Sequence, residues 1–334
     1  MNRENAEDKI WQRLKYFQSL RKKSYLNGLK PKGYPLIGVL GCMAERLKSE
    51  LIQEQGVDFV AGPDAYRSLP TLIQCSSSDA SAANSLLALD ETYADIAPVR
   101  LVEGNTHAFV TITRGCDNHC AFCIVPYTRG RERSRPVATI LAEVTQLKNE
   151  GYKEIVLLGQ NVNSYWDRET PSNGKYEGAG FTLDLAEGFT SRKKSKSLLS
   201  SDDDLDAGVK FGELLMRVAE IDPEIRIRFQ SPHPKDFTDD LLRLIAATPN
   251  ICNSLHMPAQ HGSTSVLERM KRGYSREAYL ALVERARTII GRGVESALGL
   301  STDLISGFCG ETDEEHGVHD AINRPFFCSL KASS

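Results

Sequence analysis

Short β-branched runs alternate with stretches of helical periodicity along most of the chain, which predicts an α/β fold with parallel strands. The first region runs to about Gly104, with strands predicted at Leu36–Leu40 and Val57–Ala61 and a helix at Met43–Gln55 between them. The polar Ser/Ala stretch Ser76–Ser85 reads as a loop. A second series begins at Ala108, with strands predicted at Ala108–Thr113, Glu154–Leu158, Ile225–Phe229, Ile251–His256 and Leu300–Ile305. Helices separate them. Pro136 opens one, Ile140, Val144 and Leu147 mark its buried face, and Gly151 closes it. Another carries Leu241, Leu244 and Ile245 and stops before Pro249. A third follows Ser275, a good N-cap, with Tyr279, Leu282, Ala286 and Ile289 on one face. Between Tyr165 and Lys210 the pattern fails. That segment is rich in Gly, Ser, Lys and Asp, including Arg192–Lys196 and Asp202–Asp206, and reads as a solvated insertion.

In the second series the chemically interesting residues cluster where each strand ends: Arg114–Cys116, Gly159–Asn161, Gln230–His233, His256–Gln260 and Gly307–Phe308. Barrels of parallel strands carry their active sites at the carboxyl ends, so five separate segments are expected to converge on one mouth.

Composition narrows the class. With 334 residues, 41% hydrophobic and 25% charged, the chain is long enough for one large domain or two smaller ones. A net charge of −3 argues against nucleic-acid binding by bulk charge, though not against a local basic patch. No run of about 18 apolar residues predicts a transmembrane helix. The first 33 residues hold nine Lys or Arg against three acids, yet Glu4, Glu7 and Asp8 suit a transit peptide poorly. Ile10, Leu14 and Phe17 at helical spacing predict a solvated surface helix there, and no address signal is legible. Eight cysteines, with nothing like a secretory signal ahead of them, point to an intracellular metal or catalytic role over a disulfide framework.

Three of those cysteines carry the strongest local signal. Thr113-Arg-Gly-Cys116-Asp-Asn-His-Cys120-Ala-Phe-Cys123 leaves a predicted strand and enters a loop. Three thiolates in eight residues can surround one small metal centre only if the backbone wraps it, and Gly115 supplies that freedom. Thiolates favour zinc or iron–sulfur. Structural zinc normally takes four ligands and would have to recruit His119 or a distant cysteine. A three-cysteine [4Fe–4S] cluster needs no fourth residue, and its open iron can chelate S-adenosylmethionine (SAM) and break the carbon–sulfur bond homolytically. Phe122, an aromatic just before the last cysteine, completes the pattern.

The stretches Ala108–Cys116 and Cys123-Ile-Val-Pro-Tyr-Thr-Arg-Gly-Arg-Glu-Arg-Ser-Arg-Pro136 closely resemble the MiaB-type tRNA methylthiotransferases, a radical SAM family. Within it they look most like the largely mitochondrial animal branch named for association with a cyclin-dependent kinase activator. Leu157–Asn163, Arg226–Asp236, His256–Gly262, Met270–Glu277 and Ser301–Thr312 continue the resemblance, which covers roughly Asn2 to Glu315 apart from the insertion. It implies a partial N-terminal methylthiotransferase domain over residues 1–104 and an incomplete parallel (β/α)6-type radical SAM barrel over 105–315. Residues 165–210 would be the insertion and 316–334 a divergent tail. The implied reaction adds a methylthio group to C2 of N6-isopentenyladenosine beside a tRNA anticodon. It uses the SAM cluster at Cys116, Cys120 and Cys123 and a second, auxiliary cluster also held by three cysteines. Of the auxiliary ligands only Cys42 is present, so the expectation is that this cluster does not form here. A sixth barrel strand and a C-terminal RNA-binding β-domain are implied by the family and not found in the sequence, so a chain truncated at both ends and impaired in activity is expected. The implied partners are tRNA, an electron donor and the kinase activator, with no membrane. The implied location is the mitochondrion, with the cytoplasm left open.

Other positions have both a functional and a plain reading. Gln160, Asn161, Ser231, Gln260, Asp303 and Gly307 are the candidates for contact with SAM or substrate, Ser301–Gly307 shaping the adenine pocket by resemblance. Each also fits a strand end turning into a loop. His233 and His256 suit acid–base work or strand-end hydrogen bonding. Arg129, Arg131, Arg133 and Arg135 form a basic run beside the cluster motif that suits tRNA phosphates or the SAM carboxylate. The competing reading of the whole chain is a non-catalytic binder of the kinase activator.

Overall fold

The computed structural model describes residues 3–24, 35–53, 56–77, 82–84, 104–172, 188–189, 208–291 and 298–318. They fall into two compact units, Met1–Tyr93 with Tyr127–Gly130, and Ala94–Pro126 with Arg131–Ser334.

The first unit opens with α1 (Arg3–Ser24), followed by β1 (Gly38–Leu40), α2 (Cys42–Arg46), α3 (Lys48–Gln53), β2 (Phe59–Ala61), α4 (Leu69–Ser77) and β3 (Ala82–Asn84). The three strands form one parallel sheet in the order β1-β2-β3. The single helix expected over Met43–Gln55 is two short ones, because Leu47 leaves helical geometry between them. The expected loop over Ser76–Ser85 contains β3, in register with β2 from Phe59↔Ala82 to Ala61↔Asn84. Pairing with a fully buried neighbour makes a strand of an Ala-Ala-Asn stretch with little propensity of its own. Among the described α1 side chains the buried apolar one is Leu14, while Ile10 and Phe17 are exposed. Trp11 and Leu14 pack with Val57 and Val60. Arg21, from the basic run expected to be solvated, is buried and pairs with Asp58, and its other nitrogens donate to the Pro35 and Gly56 carbonyls at 3.0 and 2.9 Å.

The second unit carries the parallel array. Its elements are β4 (His107–Thr111), β5 (Thr113–Arg114), α5 (Val125–Arg129, running into the residues of the first unit), β6 (Arg133–Ser134), α6 (Val137–Asn149), β7 (Glu154–Leu158), β8 (Trp166–Asp167), β9 (Val209–Lys210), α7 (Phe211–Ala219), β10 (Arg226–Phe229), α8 (Asp239–Ala247), β11 (Ser254–His256), α9 (Thr264–Arg269), α10 (Arg276–Ile290), β12 (Gly299–Ser301) and α11 (Asp313–Gly317). Strand β7 lies between β4 and β10, all parallel. An isolated parallel bridge, Ile227↔Ile251, continues the array from β10 towards β11, and β11 pairs in parallel with β12. Among the described residues this gives five strands in chain order, β4-β7-β10-β11-β12. Ile155, Val156 and Leu157 of β7 are all buried, as expected for a strand covered on both faces. Helices α6, α7, α8 and α10 bury their apolar stripes against this core. On α10 the stripe ends on Ile290, with Ile289 half-buried beside it.

The edges of the expected insertion belong to this core. Tyr165 is fully buried and donates to the Arg135 carbonyl at 2.6 Å, and β8 pairs antiparallel with β9. Asp167 accepts from the Val137 N–H at 2.9 Å, capping α6 from thirty residues away where Pro136 has no side-chain donor or acceptor to do so. The clusters Arg192–Lys196 and Asp202–Asp206 lie outside the described residues. Burial alone would raise the Asp167 carboxyl, but hydrogen bonds from the Thr170 hydroxyl and the Val137, Glu169 and Thr170 N–H groups hold it below the ordinary carboxylate range. A depressed folded-state value gives stability that is present above the unfolded value, near 3.9, and is lost as pH falls through the folded one. Asp167→Asn should therefore cost about 1–2 kcal/mol at pH 7, the usual worth of a cap, and the gap to the parent should close in melts below about pH 4. A gap that stays constant down to pH 2 would assign the loss to something other than the charge.

Candidate radical site at the strand ends

The site is built from the loops that follow β4, β7, β10, β11 and β12. After β4 the chain extends through β5, pairs antiparallel with β6, and turns at Gly115, whose φ of +72° is the left-handed region that glycine enters freely. Cys116 and Cys120 are buried and Cys123 and Phe122 half-buried. The Asn118 N–H and side-chain amide both point at the Cys116 Sγ, at 3.4 and 3.5 Å. Burial pushes the Cys116 thiol up to about 11, against those two hydrogen bonds, so a cation must replace its proton for it to act as a ligand.

Other loops hold this one in place. Gln160, after β7, accepts from the Gly115 N–H at 2.8 Å, so its side-chain oxygen is committed to the cysteine loop. Gly159 lets β7 come this close, since a Cβ there would lie 2.0 Å from the Thr113 Oγ1. Asp117 accepts from the Glu132 N–H at 3.0 Å. From the far side the Met270 carbonyl accepts from the Ala121 N–H at 3.0 Å, and Arg272 donates to the Cys120 Sγ at 3.3 Å.

The remaining strand ends are tied together mainly by side-chain hydrogen bonds. Asn163 and His233 exchange two hydrogen bonds, at 2.8 and 3.0 Å. The buried His233 ring accepts from the Lys235 N–H through Nδ1 at 3.2 Å. Burial, then the charges of Arg272 and Lys235, hold its imidazole well below the ordinary value, so it is neutral and serves the loop rather than acid–base work. Asn161 is buried and donates to Asp236 at 3.2 Å. His256 meets the Ser301 hydroxyl at 2.9 Å and Asp303 at 3.3 Å. A parallel bridge, Gln260↔Leu304, extends β11 and β12 past their ends. Beyond Gly307, Glu311 accepts from the Phe308 N–H at 2.8 Å and from the fully buried His261 at 3.0 Å. Among the described residues only three non-glycine residues have positive φ: Ser231, Gln260 and Lys271. Two are strand-end residues singled out from sequence, and the third adjoins Arg272. Such conformations cost of order 1–3 kcal/mol and concentrate at functional sites.

The arginine run is not one surface. Arg131 is exposed, and Arg129 and Arg133 are half-buried. Arg135 faces inward, paired with Glu143 of α6 at 2.5 Å and hydrogen-bonded to Thr139 and the Thr111 carbonyl. Cys42, half-buried, begins α2 after Gly41, in the first unit. Sequence reasoning missed Arg272, Tyr274, Tyr165 and Asp167. Arg272 stands 152 positions from Cys120, and no local spacing announces such a contact.

The donor set fits an iron–sulfur cluster. Among the described residues no three His, Cys, Asp or Glu side chains converge on a single ion. A [4Fe–4S] cube makes a different demand, since each thiolate holds its own iron. Hydrogen bonds to two of the three sulfurs, from Asn118 and Arg272, are a lever by which proteins set such a cluster's potential.

The pattern of the Radical SAM superfamily matches residues 110–174 and 180–321, and the chain belongs to that superfamily, whose members use a [4Fe–4S] cluster and SAM. It is 53% identical over 317 residues to the rat protein named mitochondrial tRNA methylthiotransferase CDK5RAP1, covering 94% of this chain and 50% of the relative. It is 51% identical to a rice CDK5RAP1-like protein, over 94% of this chain and 50% of the relative. A Chloroherpeton thalassium protein named tRNA-2-methylthio-N(6)-dimethylallyladenosine synthase is 44% identical, over 95% of this chain and 59% of the relative. The chain thus spans about half the length of the curated relatives it matches. Among solved structures, the radical SAM methyltransferase TsrM from Kitasatospora setae shares the fold, with a TM-score of 0.54 at 14% identity over 87% of this chain and 53% of that one.

Proposed function

We propose that this chain forms the SAM-cleaving part of a tRNA methylthiotransferase that acts on N6-isopentenyladenosine beside the anticodon. The observation that carries the reading is 44–53% identity, over at least 94% of the chain, to relatives named for that chemistry. Cys116, Cys120 and Cys123 would hold the cluster, and Phe122 would shield it. When bound, the cluster supplies the electron that breaks the carbon–sulfur bond of SAM. Gln160 holds the turn at Gly115, the residue just ahead of the first cysteine. Asn161, Ser231, Gln260, Asp303 and Gly307 would line the space where SAM or substrate lies, with Ser231 and Gln260 set by their left-handed backbones. Exposed Arg131, with Arg129 and Arg133, is the residue best placed to meet tRNA phosphates, and Arg135 serves the fold. Cys42 is the one position here that matches an auxiliary-cluster ligand, and a single thiolate does not hold that cluster by itself.

An external electron donor is required. A mitochondrial location is proposed from the rat and mouse relatives. No helix among the described residues is long and apolar enough to cross a membrane. Association with a kinase activator has less support, because the bacterial relatives are named for the chemistry alone.

The test is anaerobic reconstitution with iron and sulfide, then strong reductant, SAM and isopentenylated tRNA. Release of 5′-deoxyadenosine is expected, and it should disappear in Cys116→Ala. Mass spectrometry of the tRNA nucleosides reads the methylthio transfer. A reconstituted chain that releases no 5′-deoxyadenosine would overturn the reading.

A further inference from the structure

Arg272 lies in the link between α9 and α10, and only 6% of it is exposed. A guanidinium this deeply buried ordinarily faces a carboxylate, because an unpaired charge costs several kcal/mol. Among the described residues Arg272 forms no ion pair with an acid. Its Nε donates to the Tyr274 hydroxyl oxygen at 2.9 Å, Nη2 to the Pro258 carbonyl at 3.4 Å and Nη1 to the Cys120 Sγ at 3.3 Å. The guanidinium also lies 5.3 Å from the centre of the Tyr274 ring. Tyr274 is itself fixed, donating to the Pro258 and Ala259 carbonyls at 3.2 and 3.0 Å. The cation therefore cannot swing away, and because Tyr274 keeps the proton it donates to those carbonyls, the partner left to carry a negative charge is the sulfur. The same link grips the loop's backbone through Ala121 N–H to Met270 carbonyl, at 3.0 Å. The left-handed Lys271 turns the chain between these two contacts.

We propose that Arg272 is a positioning residue for Cys120 whose fixed positive charge stabilises the reduced cluster and so raises its reduction potential. The inference rests on the cluster reading above. Reduction adds one electron, hence one negative charge, to a thiolate-ligated centre. A buried cation with an N–H aimed at one sulfur favours the more negative state, and the effect is large because little water screens it. With the charge lost, the cluster should be harder to reduce. Thiolate sulfur relieved of a hydrogen bond should also bind its iron more strongly. Tyr274 acts one step further out, by holding the guanidinium.

The test uses the full reconstituted chain, with iron content and far-ultraviolet circular dichroism measured on every variant. Redox titration followed by electron paramagnetic resonance reads the reduced fraction at a fixed potential, and resonance Raman reads the iron–thiolate stretches. Arg272→Gln should lower the ratio of reduced to oxidised cluster at least tenfold, about 59 mV for a one-electron couple, and should raise the iron–thiolate frequencies. Arg272→Lys, which keeps the charge, should stay within threefold of the parent. A loaded Arg272→Gln protein with an unmoved potential overturns the proposal. So do equal shifts in the Gln and Lys variants, which would show that packing and not charge is at stake. Should Arg272→Gln hold no cluster, Arg272→Lys decides alone, and a tenfold fall in it overturns the proposal. A parent chain that assembles no cluster overturns the cluster reading itself, a failure distinct from those involving Arg272.

Discussion

Cys120→Ala should leave the anaerobically reconstituted chain with almost no iron, where the parent holds about four irons per chain. Cys116 and Cys123 alone can hold only two corners of the cube. The substitution also does damage that an exposed thiol would not. Cys120 is buried, and its sulfur is the acceptor for the Arg272 Nη1, so alanine leaves a buried cation facing a methyl group. Cys120→Ser is the sharper comparison, since it keeps an acceptor for Arg272 while weakening the iron bond. Its fold should melt close to the parent while its iron is largely lost. Cys252→Ala and Cys309→Ala, half-buried and exposed positions away from the motif, should keep full iron. Iron and visible absorbance that survive Cys120→Ala would sink the ligand assignment, and loss of iron in Cys309→Ala would show that a ligand had been overlooked.

The parallel array was legible from the chain because its strands carry the signal locally. Glu154–Leu158 is a β-branched run bounded by glycines, and the strand occupies those residues. The cysteine loop was legible for the same reason, its three cysteines lying within eight residues. What the pattern misplaced are features made by distant partners. Ala82–Asn84 becomes a strand only because β2 lies beside it. Tyr165 and Asp167 looked like the start of a polar insertion, yet one fills the core and the other caps a helix thirty residues earlier. Arg135 looked like part of a phosphate-binding row until Glu143, two turns into α6, took its charge. Gln160 was picked out as a contact for SAM or substrate, and what the sequence did not show is that its oxygen is taken by the Gly115 N–H, a contact across 45 positions. Periodicity reports burial along one element. It carries no information on which buried polar group meets which.

Gly159→Ala should cost about 3 kcal/mol, the upper end for one methyl forced into a packed site, and lower the melting temperature by about 6–12 °C for a unit of this size. The added Cβ would lie 2.0 Å from the Thr113 Oγ1, 3.1 Å from the Val162 Cα and 3.3 Å from the Thr113 Cβ. None of these atoms is the end of a flexible chain. Thr113 is 1% exposed and sits on β5, the strand that leads into the cysteine loop. Relief of the clash must move the end of β7 away from β5. Gln160 follows directly on residue 159, so its hold on the Gly115 N–H should be lost, and iron retention should fall along with stability. Among the described residues the buried Thr113 hydroxyl has no hydrogen-bond partner, so Thr113→Ala alone should be close to neutral. Combined with Gly159→Ala it removes the closest contact and leaves the two at 3.1 and 3.3 Å. The double variant should therefore recover more than half of the lost stability, a coupling of about 1.5 kcal/mol or more in a double-mutant cycle. Thermal melts and iron content of the four proteins decide the matter. A Gly159→Ala protein that melts within two degrees of the parent would show that β5 and β7 part easily, and strictly additive effects would place the clash somewhere other than Thr113.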